Sequence, residues 1–410
     1  MIRRDALLRK LIDRRDNSSV KIITGIRRCG KSYLLFHLFK DYLLSTGVDE
    51  EHIISVDLEL RESRELRDPD RLIGYIKDKM HSGKYYIFLD EIQLVPDFEE
   101  TVSEINHFEN TDVYITGSNS KFLSSDVITE FRGRGDEIRV RPLSFSEFYG
   151  FRGGDKQSAW NEYSTYGGMP ALTERNTDEQ KTEYLQRLIK EVYLRDVVER
   201  NKLKNADLMD RIMCSLFSSV GSLTNPNRTC NYLIGNGYKD ADNETVSKYM
   251  SMLEDAFIFE KCERFDIKGK EYLATPSKYY SADVGLRNAR LNFRQLEFTH
   301  ITENIIYNEL RNRGFSVDVG IIRQRDKEGY RQLEVDFVAN KGNRRYYIQS
   351  AYSCYDEEKR SQILFPLLKI RDSFRKIIVT ADRTPPWIDE NGVLTINVID
   401  FLLDEKSLDS

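Results

Sequence analysis

The chain has 410 residues, of which 40% are hydrophobic and 31% are charged, and its formal net charge is -5. This length exceeds what one hydrophobic core normally organises, so two or three domains are expected, and the composition excludes a disordered chain. The negative charge argues against a protein that coats nucleic acid over its whole surface, although a local basic face stays compatible with it.

The sequence shows no signal for export or membrane insertion. The first residues, Met1 to Asp5, precede no apolar segment of the kind that a signal peptide needs. No apolar run approaches the roughly 20 residues of a membrane span. The five cysteines are scattered without a C-x-x-C pair, and the five histidines show no zinc-ligand spacing. We expect free thiols in a cytoplasmic protein with no zinc site and no membrane partner.

Residues 1–150 alternate between strand-like and helix-like segments. Five β-rich runs are separated mostly by helical patterns. They are Val20–Thr24, His52–Leu58, Tyr85–Leu89, Asp112–Thr116 and Glu137–Arg141. This alternation predicts the α/β class, with a mainly parallel sheet that helices cover on both faces.

A segment with the spacing G-x-x-x-x-G-K-S follows the first of these strands. Its residues are Gly25, Ile26, Arg27, Arg28, Cys29, Gly30, Lys31 and Ser32, and a helical run follows. Glycines allow successive backbone N–H groups to face one anion at the positive end of a helix. Lys31 is expected to reach the β- and γ-phosphates of ATP, and Ser32 to bind Mg²⁺. The alternative is a glycine turn that carries Lys-Ser, and the flanking strand and helix disfavour it.

Two carboxylates end the third predicted strand. Asp90 is suited to hold Mg²⁺, directly or through water, and Glu91 to polarise the water that attacks the γ-phosphate. A solvated strand end is the alternative. The P-loop upstream favours the interpretation as a catalytic pair.

Two further segments of the first 150 residues have two readings each. The fourth strand runs into small polar residues, including Asn119, which either orient water beside the γ-phosphate or cap a helix. Arg134 precedes the fifth strand, and it either stabilises charge on the transferring phosphoryl group or is a solvated loop residue.

Together these residues resemble a prokaryotic family of AAA-superfamily P-loop ATPases. The motifs that carry the resemblance span nearly the whole chain. They are Gly25–Ser32, Leu89–Gln93, Ile115–Ser120, Arg132–Arg134, Arg141–Phe145, Tyr166–Pro170, Tyr193–Asp196 and Tyr280–Arg287. The resemblance implies a P-loop domain, a winged-helix region and a C-terminal domain like that of restriction endonucleases. It also implies that Asp90 and Glu91 are Walker B residues, Asn119 a sensor and Arg134 an arginine sensor or finger, and that hydrolysis occurs in oligomers.

The remaining chain divides into a helical connection over 151–205 and a winged-helix-like region over 206–296. In the second, Val246, Tyr249, Met250 and Leu253 share one face of a predicted helix, and a β-rich run follows. Such a helix suits the major groove of DNA. Acidic residues crowd the same segment and would repel phosphates, so a protein-docking module is the alternative.

Residues 297–410 contain an incomplete nuclease-like set. By the resemblance, a helix Glu, a strand-end Asp and a following E-x-K would hold Mg²⁺ and its water. Glu303 and Asp336 fit this pattern, whereas Gln349-Ser350-Ala351 stands in place of the E-x-K. We therefore expect a degenerate nuclease-like domain that is retained for binding or structure.

The leading hypothesis is an ATPase that uses ATP and Mg²⁺ to drive conformational change in the later modules, with DNA and a second copy of the chain as candidate partners. The alternative is a nucleotide-dependent binding or scaffold protein with little turnover. An ATP-driven nuclease is the third hypothesis, and Gln349 and Ala351 oppose it.

Overall fold

The computed structural model describes residues 2–117, 135–239, 241–326 and 329–409, and it describes only the backbone at 325, 326, 329 and 330. The chain forms two compact units. The first comprises Met1–Pro142 with Asp255–Phe257, and the second comprises Leu143–Glu254 with Ile258–Ser410. Each unit contains a sheet of its own.

The first unit contains a five-stranded sheet. Its strands are β1 (Val20–Thr24), β2 (Ile53–Asp57), β3 (Tyr85–Asp90), β4 (Thr111–Gly117) and β5 (Gly135–Arg139). The order is β2-β3-β4-β1-β5, and every neighbouring pair is parallel. Every residue of β1 and β3 is buried, as expected for central strands of a sheet covered on both faces. The predicted α/β class and parallel sheet are confirmed.

The helices of the first unit precede or follow its strands and supply the rest of the core. They are Asp5–Ile12, a continuous helix of the segments Lys31–Tyr33, Leu34–Phe39 and Lys40–Ser45, then Pro69–Lys79 and Phe98–Asn106, with short 3-10 turns at Glu50–His52, Arg64–Arg67 and Ile92–Leu94. Leu72 and Ile76 from one helix and Val102 and Ile105 from another pack against the apolar side chains of β2, β3 and β4. This packing holds the strand ends in fixed relative positions.

Most of the second unit's first half is helical. Its helices, with those that come later in the chain, are Phe145–Arg152, Lys156–Tyr166, Pro170–Glu174 (3-10), Asp178–Arg187 continued by Leu188–Leu194 and Arg195–Arg200, Ala206–Ser218, Pro226–Gly235, Asn243–Asp255, Val284–Arg290, Phe298–Asn312, Glu357–Leu368 and Val398–Leu403. The predicted helix face is confirmed, because Val246, Tyr249, Met250 and Leu253 are its buried residues.

An eight-stranded mixed sheet forms the rest of the second unit. Its strands are β6 (Phe259–Asp266), β7 (Glu271–Ser281), β8 (Ser316–Asp326), β9 (Gly329–Lys341), β10 (Arg344–Ala351), β11 (Arg375–Thr380), β12 (Trp387–Ile388) and β13 (Val393–Asn397). The order is β12-β13-β11-β10-β9-β8-β6-β7. The hairpin β6–β7 belongs to this sheet because β6 pairs with β8 in parallel. Side chains near residue 278 therefore reach those of the C-terminal strands.

Two of the sequence motifs meet inside the second unit. The Gly168 N–H donates to Asp283 Oδ2 at 2.6 Å, although the two residues are 115 positions apart in the chain. A Cβ atom on Gly285 would lie 1.8 Å from the Tyr166 carbonyl oxygen, and one on Gly167 would lie 2.1 Å from Asp283 Oδ1. Only glycine permits this approach of the two backbones, so both motifs form one packing junction.

In the part of the chain that the structure describes, no helix combines the length and the apolar character needed to span a membrane.

Candidate functional site

The P-loop connects β1 to the helix that begins at Lys31, and its backbone takes conformations that suit glycine. Gly25 has φ +147° and Gly30 has φ +98°. A Cβ atom on Gly25 would lie 2.0 Å from the Val140 carbonyl oxygen and 3.0 Å from Cys29 Sγ. Arg28 also has a positive φ, of 66°, which is uncommon for a residue with a side chain. These positive φ values bend the loop tightly between β1 and the helix that begins at Lys31.

The two polar side chains at the start of the helix face inward. Lys31 is 4% exposed, and its Nζ donates to the Gly25 carbonyl oxygen at 3.1 Å across the loop. Ser32 Oγ donates to Asp90 Oδ2 at 2.7 Å. The structure thus brings together the P-loop and the carboxylate at the end of β3, 58 residues later, as the sequence analysis expects for a shared magnesium site.

Asp90, the last residue of β3, is buried among polar side chains. Its other oxygen accepts a hydrogen bond from Thr116 Oγ1, at the end of β4. Burial raises the pKa of Asp90, the nearby Glu91 and Asp57 add to that, and the hydrogen bonds from Thr116 and Ser32 oppose it. A carboxylate in this setting gains from a cation beside it, because the cation offsets both burial and repulsion.

Glu91 follows with a left-handed backbone conformation, φ 51° and ψ 45°. Its N–H donates to Thr116 Oγ1 at 3.1 Å, and its carboxylate accepts a hydrogen bond from Gln93 Nε2. Such a conformation costs a non-glycine residue about 1–3 kcal/mol and persists where neighbours hold it. Glu91 is thereby turned away from the direction of β3 while staying next to Asp90.

The other residues of the P-loop are placed as follows. Ile26 and Cys29 are buried, and Cys29 Sγ donates weakly to the Val140 carbonyl oxygen at 3.4 Å. Arg27 is half-exposed and pairs with Glu59 at 2.6 Å. The two remaining candidate catalytic residues, Asn119 and Arg134, lie outside the described residues.

Sequence reasoning missed two side chains that organise this site. Arg4 is 4% exposed and donates to the carbonyl oxygens of Cys29, at 3.0 Å, and Arg141, at 2.8 Å. It therefore ties the P-loop to the segment after β5. Thr116 joins Asp90 to Glu91, as described above. Nothing in the spacing around Arg4 signals its role, whereas Thr116 follows from its position at the end of the strand beside β3.

The nuclease-like residues also meet, but not as a metal site. The Asp336 N–H donates to Gln349 Oε1 at 2.8 Å, and the Ser350 N–H donates to Asp336 Oδ2 at 2.9 Å. Gln349 is therefore engaged with the backbone of β9, and Ala351 is buried in the apolar core. Glu303 is 5% exposed and is therefore a buried residue.

A lysine that the sequence analysis did not consider stands among these carboxylates. Lys278 Nζ, from β7, lies 2.8 Å from Glu303 Oε1, 2.8 Å from Glu334 Oε1 and 3.4 Å from Asp336 Oδ1. Lys341, at the end of β9, does not join them, because it donates to the Arg313 carbonyl oxygen at 2.5 Å. Across the described ranges, no three His, Cys, Asp or Glu side chains are arranged to hold a metal ion.

Comparisons with known proteins agree with the P-loop geometry. Residues 17–149 match an AAA domain, and residues 157–297 match a domain of unknown function (DUF8612). An uncharacterised protein of Haemophilus influenzae is 34% identical over 410 residues, which cover 98% of this chain and 99% of that protein. An uncharacterised protein of Methanocaldococcus jannaschii is 29% identical over 368 residues, covering 84% of this chain and 77% of that protein.

Among solved structures, a Walker-type ATPase of Pyrococcus abyssi has a similar fold. The TM-score is 0.52 at 17% identity, and the match covers 71% of this chain and 96% of that one. The parallel sheet, the P-loop and the near full-length relative lead to one assignment. The chain belongs to a prokaryotic family of AAA-type P-loop ATPases, in which the AAA domain is followed by a domain of unknown function.

Proposed function

We propose that this protein hydrolyses ATP at the P-loop and uses the energy to rearrange its C-terminal modules. The observation that carries the proposal is the 2.7 Å contact between Ser32 Oγ and Asp90 Oδ2. A hydroxyl from the start of the helix and a carboxylate from the neighbouring strand are the two protein ligands that a nucleotide-bound Mg²⁺ takes in P-loop enzymes.

The residues of the loop fit ATP and Mg²⁺. Gly25 and Gly30 take positive φ values that favour glycine, and the Lys31 ammonium lies across the loop, 3.1 Å from the Gly25 carbonyl oxygen. Ser32 and Asp90 would hold Mg²⁺, which neutralises charge on the phosphates when it is bound. Without a cation, burial and the neighbouring Glu91 and Asp57 carboxylates disfavour the charged form of Asp90. A bound Mg²⁺ would offset both effects.

The presence of Glu91 favours ATP hydrolysis over nucleotide binding without hydrolysis. A protein that only changes shape with nucleotide needs the magnesium carboxylate but has less use for a second one. Glu91 nevertheless keeps a strained backbone conformation, which Thr116 and Gln93 hold through hydrogen bonds. We assign it the role of orienting and polarising the attacking water, while Asn119 and Arg134 remain candidate sensor and arginine residues.

For the rest of the chain we propose the division already expected: ATPase domain 1–150, helical connection 151–205, winged-helix-like region 206–296 and degenerate nuclease-like domain 297–410. Three helices followed by the hairpin β6–β7 support the winged-helix reading. The neutral Gln349 and the buried Ala351 support binding without cleavage. DNA is the proposed partner of the winged-helix-like region, and a homo-oligomer is the proposed working state.

A steady-state ATPase assay, with and without duplex DNA, tests the proposal. Lys31→Ala should abolish Mg-ATP binding in calorimetry, because it removes a charge-assisted contact to the phosphates. Lys40→Ala, on the same helix but in an exposed pair with Glu50, is the matched control and should bind normally. Unchanged affinity in Lys31→Ala would contradict the assignment of the P-loop.

Glu91→Gln separates hydrolysis from binding. The amide keeps the shape of the side chain but loses the charge that polarises water, so ATP should still bind while turnover falls by about 10² or more. Glu104→Gln, in an exposed pair with Lys77, is the control for the same chemical change. Turnover at the wild-type rate in Glu91→Gln would show that the role of polarising the water belongs to another residue.

A further inference from the structure

Four charged side chains from three elements converge in the second unit, and we name them the Lys278 cluster. Lys278 comes from β7, Glu303 from the helix Phe298–Asn312, and Glu334 and Asp336 from β9. Lys278 is 3% exposed and Glu303 is 5% exposed. The ammonium thus lies among carboxylate oxygens at 2.8, 2.8 and 3.4 Å, in a cluster that opens to solvent on the side of Glu334, whose side chain is 34% exposed.

We propose that the Lys278 ammonium occupies a cation-binding position that three carboxylates create, and that truncating this side chain opens the position to a divalent metal ion. The inference deepens the proposed lack of cleavage by the nuclease-like domain, because it identifies what fills the place of the metal. It depends on the contacts of these side chains and not on the likeness to nucleases.

Charge balance explains why the lysine stays ionised. Burial alone lowers the pKa of Lys278, but the negative charges of Glu303, Asp336 and Glu334 outweigh burial and raise it well above its ordinary value. A metal ion would have to displace a full positive charge that is covalently tethered to β7. Two like charges cannot share so small a volume, so the wild-type cluster excludes a divalent cation.

Two of the three carboxylates also accept hydrogen bonds from donors other than Lys278. Tyr280 Oη donates to Glu303 Oε1 at 2.6 Å, and Asp336 Oδ2 accepts from the Ser350 N–H. Gln349, which stands where a third acidic metal ligand is expected, contributes its oxygen to the Asp336 N–H. Glu303 and Asp336 are therefore held by partners other than Lys278, whereas the partly exposed Glu334 carboxylate pairs with Lys278 and can turn toward an ion that replaces the ammonium.

Distances indicate which ions fit the opened position. Oxygens stand at 2.8–3.4 Å from the ammonium nitrogen, whereas Ca²⁺ takes oxygens at about 2.3–2.6 Å and Mg²⁺ at about 2.0–2.1 Å. As they stand, these carboxylates are not arranged to hold a metal ion. Once Lys278 is removed, Ca²⁺ requires smaller inward movements of the oxygens than Mg²⁺ does, and it also accepts irregular geometry. Lys278→Ala should therefore bind Ca²⁺, and its luminescent analogue Tb³⁺, more tightly than Mg²⁺.

Terbium luminescence on the full chain without nucleotide tests the proposal. Tyr280 contacts Glu303 and can transfer excitation energy to an ion in the cluster. Lys278→Ala should gain one Tb³⁺ site that Ca²⁺ displaces, at least tenfold tighter than any site in the wild type. Lys278→Ala combined with Asp336→Asn should lose it, and Lys278→Met, which refills the volume with an apolar chain, should not form it.

Three results would refute the proposed cation-binding position. Equal ion binding in the wild type and Lys278→Ala would overturn the proposal, as would the absence of a new site in a variant with wild-type circular dichroism. If Lys278→Ala unfolds without metal, millimolar Ca²⁺ should restore its folding, and failure to do so would also refute the proposal. Cleavage of DNA by the wild type would contradict the proposed function but not this site, whereas lost ATP turnover would leave the terbium result unaffected.

Discussion

Replacing Arg4 by alanine should loosen the P-loop, although Arg4 lies 25 residues before Cys29 in the sequence. The guanidinium donates to the Cys29 carbonyl oxygen at 3.0 Å, the Arg141 carbonyl oxygen at 2.8 Å and, more weakly, the Pro142 carbonyl oxygen at 3.4 Å. These acceptors are buried, and alanine supplies no donor for them. The change therefore removes a connection between the loop and the segment that follows β5.

The magnitude follows from these contacts. Hydrogen bonds from a charged donor contribute about 1.5–3 kcal/mol each, so the two short ones together contribute roughly 3–6 kcal/mol. Water that enters the vacated volume can satisfy part of the lost bonding. We therefore expect the free energy of local opening to fall by about 2–4 kcal/mol, which speeds amide exchange in the loop roughly 30- to 1000-fold.

Hydrogen-exchange mass spectrometry measures this local opening directly. Peptides that cover residues 20–35 should exchange faster in Arg4→Ala, whereas peptides from the second unit should exchange as in the wild type. Arg3→Ala is the matched control, because Arg3 is the neighbouring arginine and is exposed. Exchange of the loop peptides within threefold of the wild type would refute the role given to Arg4.

Three further changes test the packing of both units. Lys21→Met leaves the buried Asp112 carboxylate without its cation, and denaturant unfolding should show a loss of about 3–5 kcal/mol; a loss within error of zero would show the pair contributes nothing. Burial raises the pKa of Asp283 to about 6, above its unfolded value, so the folded state binds more protons and stability should fall, by roughly 3 kcal/mol at most, as pH rises from about 4 to 6. Asp283→Asn should remove that slope from the pH dependence of the melting temperature, and an unchanged slope would assign it to another group. Gly285→Ala places a Cβ atom 1.8 Å from the Tyr166 carbonyl oxygen, so the second unit should melt several degrees lower, and an unchanged melting temperature would disprove that close approach.

The strands of the first unit could be predicted from the sequence. All five predicted strands exist and differ from the observed bounds by at most two residues at either end. Local patterns were sufficient there, because an apolar run of five or six residues becomes a central parallel strand almost regardless of its partners. The meeting of Ser32 and Asp90 also followed, since a P-loop and the carboxyl end of a nearby parallel strand lie at one edge of the sheet.

The second unit shows why other features could not be predicted. Strand β7 contains Pro276 and a run of polar residues, which are typical of loops and edge strands, so the pattern conceals it. With β7 missed, nothing placed Lys278 near Glu303 and Asp336, which follow 25 and 58 residues later. Arg4 was missed for a different reason: its acceptors are backbone carbonyls, and those carry no side-chain signal in a sequence.

The junction between the Gly167-Gly168 turn and Asp283 also affects how the chain folds during synthesis. The partner of the Gly168 N–H is 115 residues further along, and a ribosome adds about 5–20 residues per second. For roughly 6–23 seconds, the helix Lys156–Tyr166 therefore has no Gly285 backbone to pack against. Nascent chains that end between these motifs should therefore expose the side of this helix that the helix Val284–Arg290 later covers.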